Sequence, residues 1–239
     1  MKLLDLTLPT PEENLALDEA LLDACEEDGK GETLRFWEPT NYFVVVGYAN
    51  TAAREVNISY CEANVIRLLR RFTGGGTVLQ GPSCLNYSLI LRIGEDGPLR
   101  TISGTNQFIL NRHKLALSTV LNRSVEMMGQ TDLAIGELKF SGNAQRRKKN
   151  YLIFHGSFLL NFDLGMIAKT LLTPSKEPDY RRRRSHADFL MNLKVPAERI
   201  KEALRKAWSA TESQTDIPLD RVQTLVLEKY SHVDWNRKF

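Results

Sequence analysis

Apolar residues recur along this chain in two rhythms, one close to helical spacing and one of alternate positions, and their succession predicts a mixed α and β protein. Leu15, Ala16, Leu21 and Leu22 follow helical spacing behind Thr10, Pro11 and Glu13, which together read as a capping box with proline at the first helical position. Gly29 or Gly31 should end that helix. LRFWEP and YFVVVGY read as strands broken at Pro39, and IRLLRR as a third. CLNYSLILRI alternates as a strand with one buried face, and TNQFILNRHKLALSTVLNR carries a helical pattern of Phe108, Ile109, Leu115, Leu117 and Leu121. VEMM, GELKFSG and YLIFHGSFLLNFD add strands, with QRRKKN as the turn between the last two. Helical spacing returns in PAERIKEALRKAW and PLDRVQTLVLEKY. The proline-broken, charged LLTPSKEPDYRRRRSHADF is expected to be a surface loop. No linker or repeat divides the pattern, so one domain over residues 1–239 is expected.

Composition narrows the class. At 239 residues, 42% hydrophobic and 26% charged, the chain is that of an ordinary globular protein. No stretch approaches the roughly 20 apolar residues of a membrane span, and MKLLDLTLPTPEEN lacks the apolar core of a secretion signal. The cytoplasm is therefore the expected location, with no membrane partner. Cys25, Cys61 and Cys84 are odd in number and lack metal-ligand spacing, which favours reduced thiols over disulfides or structural zinc. A formal charge of +3 is too small for bulk nucleic-acid binding, although QRRKK and YRRRRS are locally basic. No nucleic-acid partner is expected.

The candidate chemistry starts at RRFTGGGTVLQG, where a strand runs straight into three glycines. Their bare backbone N–H groups can form a concave nest for a phosphate or carboxylate. Arg70 and Arg71 can add charge-assisted bonds, and Thr73 or Thr77 a hydroxyl. A tight turn with solvated arginines is the other reading. The run is not a P-loop, because GKS or GKT is missing, and it does not match GxGxxG.

Four segments in register resemble one family. RRFTGGGTVLQGPSCLNYSL is similar to the signature of the lipoate-protein ligase and octanoyltransferase family, and ELKFSGNAQRRKKNYLIFHGSFLLNFDL resembles that family's lysine segment. ENLALDEALL and SHADFLMNL fall in the expected order on either side. The resemblance implies an α+β fold like the catalytic domain shared with class II synthetases and biotin ligases, a mixed and largely antiparallel sheet flanked by helices. It implies activation of lipoate or octanoate with ATP and Mg2+ to an acyl-adenylate, then transfer to a lysine of a lipoyl carrier domain. Such carriers are the E2 subunit of 2-oxoacid dehydrogenases or the glycine cleavage H protein.

By the same resemblance, Lys139 is the catalytic residue, its ammonium stabilising charge at the carbonyl and phosphate oxygens. Arg70, Arg71, Thr73, Gly74, Gly75, Gly76, Thr77, Val78, Leu79, Asn86, Gly142, Ala144, His155 and Gly156 are the implied substrate and ATP contacts, with no metal ligand among them. Ordinary structural roles compete at several positions: a core histidine for His155, a backbone cap for Asn86, a solvated turn for residues 145–149. Residues 181–184 are read as closing over the adenylate or touching the carrier.

The sequence departs from the family twice. Leu79 to Cys84 replace the Tyr-His-Asp and Gly-Asn that many ligases carry after the glycines. The C-terminal accessory domain of single-chain ligases is also missing after VDWNRKF, which implies a separate accessory polypeptide or a different reaction. The rival reaction is acyl transfer from acyl carrier protein or another lipoyl domain through a cysteine thioester. The lysine segment holds no cysteine, so Cys84 is the one substitute thiol in a motif. A non-catalytic lipoate-binding module is the third reading.

Overall fold

The computed structural model describes residues 1–174 and 176–239. Ser175, within the segment expected to be a surface loop, lies outside the described residues. In chain order the elements are β1 (Lys2–Asp5), α1 (Pro11–Asp28), β2 (Thr33–Trp37), β3 (Phe43–Val46), α2 (Ala52–Glu55), α3 (Ile58–Ala63), β4 (Arg67–Arg70), β5 (Val78–Gln80) and β6 (Cys84–Arg92). There follow α4 (Ile102–Leu121), β7 (Glu126–Met128), β8 (Asp132–Ile135), β9 (Leu138–Arg147) and β10 (Tyr151–Leu159). The remainder is α5 (Leu164–Thr170), α6 (His186–Phe189), α7 (Ala197–Ala207), β11 (Glu212–Ser213), α8 (Leu219–Leu225) and α9 (Val233–Asn236).

Eight strands form one sheet in the order β11-β1-β2-β6-β10-β9-β8-β7, and β4-β3-β5 form a second. Pairing in the large sheet is antiparallel except where β1 runs parallel to β11 and β2. This is the mixed, largely antiparallel α+β architecture expected from the sequence.

Helix α1 forms as its signals predict. Thr10 Oγ1 accepts from the Glu13 amide at 3.2 Å, Glu13 Oε2 accepts from the Thr10 amide at 2.8 Å, and Gly29 ends the helix at φ 64°. Its apolar side covers one face of the large sheet, joining Leu17, Leu21 and Leu22 to Ile90 and Ile153. Helices α4 and α7 cover the other face, where Ile109, Leu117, Ile200 and Leu204 meet Leu85, Tyr87 and Leu89.

Strand β6 is thus buried on both faces, not on one. Its polar residues survive there because they have partners: Ser88 donates to Asp18 at 2.7 Å and Asn86 to Gln80 at 3.0 Å. Three other expectations are corrected. Leu115 is 70% exposed on the outer side of α4. Gln145 and Arg147 belong to β9, tied to the start of α4 through Asn106 and Leu99, so the turn is confined to residues 148–150. The segment 171–189 is no simple surface loop, because Arg181 and Phe189 are buried.

His113 shows what burial costs in this core. Its Nε2 accepts from the Trp208 indole at 2.8 Å, and burial pushes its pKa down to about 3. Below its ordinary pKa of 6.5 the unfolded chain takes up a proton that the native protein refuses, so stability falls with pH until about pH 3. His113 alone should remove about 2 kcal/mol between pH 6.5 and 5, from about 1.4 kcal/mol per pH unit. Urea unfolding at both pH values checks this, with His113→Gln removing its own share of the dependence and leaving those of His155 and His186.

Candidate active site

Strand β4 ends at Arg70, and Arg71 follows it directly into the glycine loop, residues 74–76, before β5 returns the chain. Adjacent strand residues point oppositely, and the two arginines have different fates. Arg71 faces the loop and knits it: Nη2 donates to Gly74 O at 2.6 Å and Gly76 O at 2.7 Å, and Nε to Gly74 O at 3.1 Å. Burial lowers its pKa to about 10. Gly75 has φ +87°, and a methyl group there would meet Arg71 Nη2 at 2.9 Å. The loop is therefore closed on its own arginine through its carbonyls, and among the described residues the amides of Gly74, Gly75 and Gly76 make no hydrogen bond.

Arg70 points away from that space. Its guanidinium donates to the carbonyls of Gly47, Tyr48, Asn50, Trp235 and Asn236. A ligand contact is expected of Arg70 from the sequence; the structure places it outside the cavity lining, with its guanidinium bonded to backbone carbonyls.

Lys139 reaches the site through an irregularity. Along β9, Gly142 and Ala144 share a face and line the cavity, as alternation requires, whereas Phe140, one even step earlier, breaks the pattern and is buried among the α4 and α7 core residues. Lys139 is an odd step from Gly142 and belongs on the opposite face of a regular strand. The register shifts between Leu133 and Ala134 of β8, which pair with Ser141 and Lys139 and leave Phe140 unpaired. That bulge turns Lys139 to the face of Gly142. A methyl group at position 142 would lie 2.9 Å from Lys139 Nζ, so the missing side chain makes room for the ammonium. Lys139 Nζ pairs with Asp132 Oδ1 at 2.8 Å, and Tyr180 donates to Asp132 Oδ2 at 2.7 Å.

His155 Nε2 and Thr73 Oγ1 are 2.6 Å apart. Burial, reinforced by Arg71, lowers the His155 pKa to about 3, so the imidazole is neutral at pH 7. His186 is held near 4 by burial, Arg181 and Lys139. With these rings neutral, the basic side chains lining the cavity are Arg71, Lys139, Lys176 and Arg181. Asn143 takes a hydrogen bond from Tyr87 at 2.6 Å and gives one to Thr131 O at 2.7 Å.

These pieces surround one cavity of about 900 Å3. Of the residues named from sequence, Arg71, Gly75, Gly76, Thr77, Val78, Asn86, Lys139, Gly142, Ala144, His155 and Gly156 line it. Arg70, Thr73, Gly74 and Leu79 do not: Thr73 is hydrogen-bonded to the lining residue His155, Gly74 stays exposed, and Leu79 is packed in the core of the small sheet. Sequence reasoning missed Asp132, Asn143, Tyr87, Trp37 and Tyr180. Leu15, Trp37 and Val45 add apolar wall, and the Trp37 Nε1 is buried with no hydrogen-bond partner among the described residues. Among those residues no group of three His, Cys, Asp or Glu side chains could hold a metal ion.

Residues 10–212 match the family described as the lipoyl protein ligase A/B catalytic domain. The chain belongs to that family. Among lipoyl protein ligase relatives, lipoate-protein ligase A subunit 1 of Thermoplasma acidophilum is 29% identical, over 93% of this chain and 90% of the relative. An octanoyltransferase, LipM of Clostridioides difficile, is 31% identical over 69% of this chain and 67% of its own length. The fold is similar to the bi-partite lipoate protein ligase solved with its E2 lipoyl domain from T. acidophilum, with TM-score 0.85 and 26% identity over 99% of this chain and 95% of that one. It is also similar to a lipoate-protein ligase A bound with ATP, with TM-score 0.81 and 27% identity over 99% and 98%.

Each of the four sequence motifs of the lipoyl protein ligase family contributes to the cavity. ENLALDEALL, on α1, supplies Leu15 and Asp18, and SHADFLMNL supplies His186 and Phe189. In the arginine run, Arg181 lines the cavity and packs on the Phe189 ring, Arg182 forms an exposed pair with Glu137 at 3.0 Å, and Arg184 donates to Tyr180 O at 2.9 Å.

Proposed function

We propose that residues 1–239 are the single catalytic unit of an ATP-dependent lipoate-protein ligase. Lipoate or octanoate places its tail against the apolar wall and its carboxylate between Lys139 and the glycine loop. A carboxylate oxygen attacks the α-phosphorus of ATP, pyrophosphate leaves, and an acyl-adenylate forms. The ε-amine of a carrier lysine then attacks the acyl carbon, giving the amide and AMP. Both steps build negative charge on oxygen, which a fixed ammonium and backbone N–H donors stabilise in a site of lowered dielectric. Arg71 positions the loop, Asp132 positions Lys139, and Asn86, His155 and Gly156 shape the acyl and nucleotide space. Mg2+ enters with the triphosphate as part of the co-substrate.

One observation carries this reading: Lys139 and the glycine loop line the same cavity, which also holds Leu15, Trp37 and Val45. Partners are proposed from the T. acidophilum relatives: a lipoyl domain such as that of an E2 subunit or H protein, and a separate accessory subunit. No helix among the described residues is long and apolar enough to cross a membrane, and the three free, buried cysteines fit a cytoplasmic setting. The test supplies the purified chain with ATP, Mg2+ and lipoate or octanoate, with and without an accessory protein, and then adds an unmodified lipoyl domain. Acyl-adenylate and lipoylated carrier are the expected products. Acylation from octanoyl-acyl carrier protein alone would move the assignment to transferase, and tight lipoate binding without turnover to a binding module.

Cys84 separates ligase from cysteine-dependent transferase. The side chain is buried outside the cavity lining, its thiol donates to Gln80 at 3.1 Å, and burial pushes its pKa up to about 12. So little thiolate at neutral pH cannot serve as a nucleophile. Cys84→Ala should leave the carrier modification rate within about twofold while costing about 1 kcal/mol of stability. A folded variant without activity would overturn the ligase assignment.

A further inference from the structure

Arg70 is wholly buried and makes no ion pair among the described residues. A buried cation without a carboxylate is costly unless dipoles surround it. Two segments supply those dipoles. One is the turn after β3, whose Gly47, Tyr48 and Asn50 carbonyls take Nη1 at 2.8, 3.0 and 2.8 Å. The other is residues 235–239, where Trp235 O takes Nε at 3.1 Å, Asn236 O takes Nη2 at 3.4 Å, and the Phe239 ring lies 5.3 Å from the guanidinium carbon. The bonding is reciprocal: the Arg70 amide donates to Asn236 Oδ1 at 2.9 Å, and the Trp235 indole donates to Arg70 O at 2.9 Å.

The turn that shares Arg70 with residues 235–239 is also the backing of the glycine loop. The Tyr48 amide donates to Thr73 O at 2.9 Å, and Asn50 Nδ2 donates to Thr77 Oγ1 at 3.4 Å. Gly47 lies so close that a methyl group on it would stand 2.1 Å from Gly75 O. Residues 235–239 reach the same turn directly, since the Ala52 amide donates to Phe239 O at 3.3 Å and the Tyr48 ring lies 5.9 Å from that of Trp235.

We infer that residues 235–239 form a strap that positions the glycine loop from behind, and that Arg70 is the positioning residue joining strap, turn and loop. Without the strap, Arg70 keeps the acceptors of the turn alone and water enters beside it. The turn then loses its fixed distance to residues 73–77, and the loop's N–H groups lose their alignment for the ligand. The kinetic half of this inference rests on the proposed ligase activity; the structural half does not.

The test compares the full chain with a variant lacking residues 235–239 and with Trp235→Phe, which removes the indole donor while keeping an aromatic ring. Arg70→Lys, whose three donors cannot reach both segments, replaces the deletion if that variant does not fold. Tyr230→Phe is the control, because it breaks the bond to Glu19 in the same region without touching Arg70. Exchange of the Tyr48 amide proton should accelerate about tenfold or more in the deletion or Arg70→Lys and less in Trp235→Phe, with no change in the control. kcat/KM for ATP should fall about fivefold or more with most of the loss in kcat, the pattern of donors misaligned for charge that develops in the reaction. Folded strap variants with unchanged Tyr48 exchange overturn the inference. If the wild-type chain forms no acyl-adenylate, the functional proposal fails and the exchange data alone decide the strap.

Discussion

Lys139→Ala should lower acyl-adenylate formation and carrier modification by about a thousandfold, near the upper range for removing a group that stabilises developing oxyanion charge. The fold should survive. The Lys139 side chain is 25% exposed, so its pair with Asp132 is partly solvated and contributes on the order of 1 kcal/mol at most, and Asp132 keeps its bond from Tyr180. Lys139→Arg should recover little, because the space beside Gly142 is fitted to a compact ammonium at 2.9 Å and a planar guanidinium is wider. Pyrophosphate release and the mass of the carrier measure the two steps, and a thermal melt checks folding. Near wild-type rates in a folded Lys139→Ala protein would remove Lys139 from the chemistry.

Gly156→Ala should be nearly as damaging, through stability. A methyl group there would stand 1.8 Å from Asn143 Oδ1 and 2.8 Å from the Gly142 carbonyl oxygen. The first neighbour cannot swing away, because Asn143 is held between the Tyr87 hydroxyl and Thr131 O. The second is backbone of the strand paired to β10. Relief requires separating β9 from β10 or releasing Asn143 and leaving the buried Tyr87 hydroxyl unpaired, a loss of about 2–4 kcal/mol. Activity should fall with it, since Gly142 and Ala144 move with β9. Urea unfolding of the variant measures the loss. Wild-type stability would mean that the two strands accommodate the methyl without strain.

Much of this was readable from the chain. Helix α1 carried its cap, proline and terminal glycine within residues 10–29, and each signal acts locally. Strands β3, β4 and β10 declared themselves by dense branched and aromatic runs. Strands β1, β8 and β11 did not, because two to four residues hold too few alternations and are recruited by neighbours distant in sequence. The two-sided burial of β6 depended on helices elsewhere covering both faces.

At the site, the motifs converge on one cavity without revealing which atoms face it. Arg70 and Arg71 are chemically alike, and only register assigns one to the loop and the other to the strap. The bulge at Phe140 leaves no mark in GELKFSG, yet it decides where the Lys139 ammonium points. Asp132 and Tyr180 sit in otherwise unremarkable segments and meet only in three dimensions. Gly47 and Gly156 look like ordinary glycines until the neighbouring Gly75 carbonyl and Asn143 amide are in place.

The large sheet tapers at both margins, to three residues in β7 and two in β11. Stubs of that length offer a foreign strand almost no run of vacant amides and carbonyls on which to grow, which is how native sheets resist self-association. Concentrated solutions of the intact protein should accordingly stay clear, with precipitation governed by how often molecules open. Conditions that open the core, such as acid acting on His113, are then also the ones that should cloud the sample.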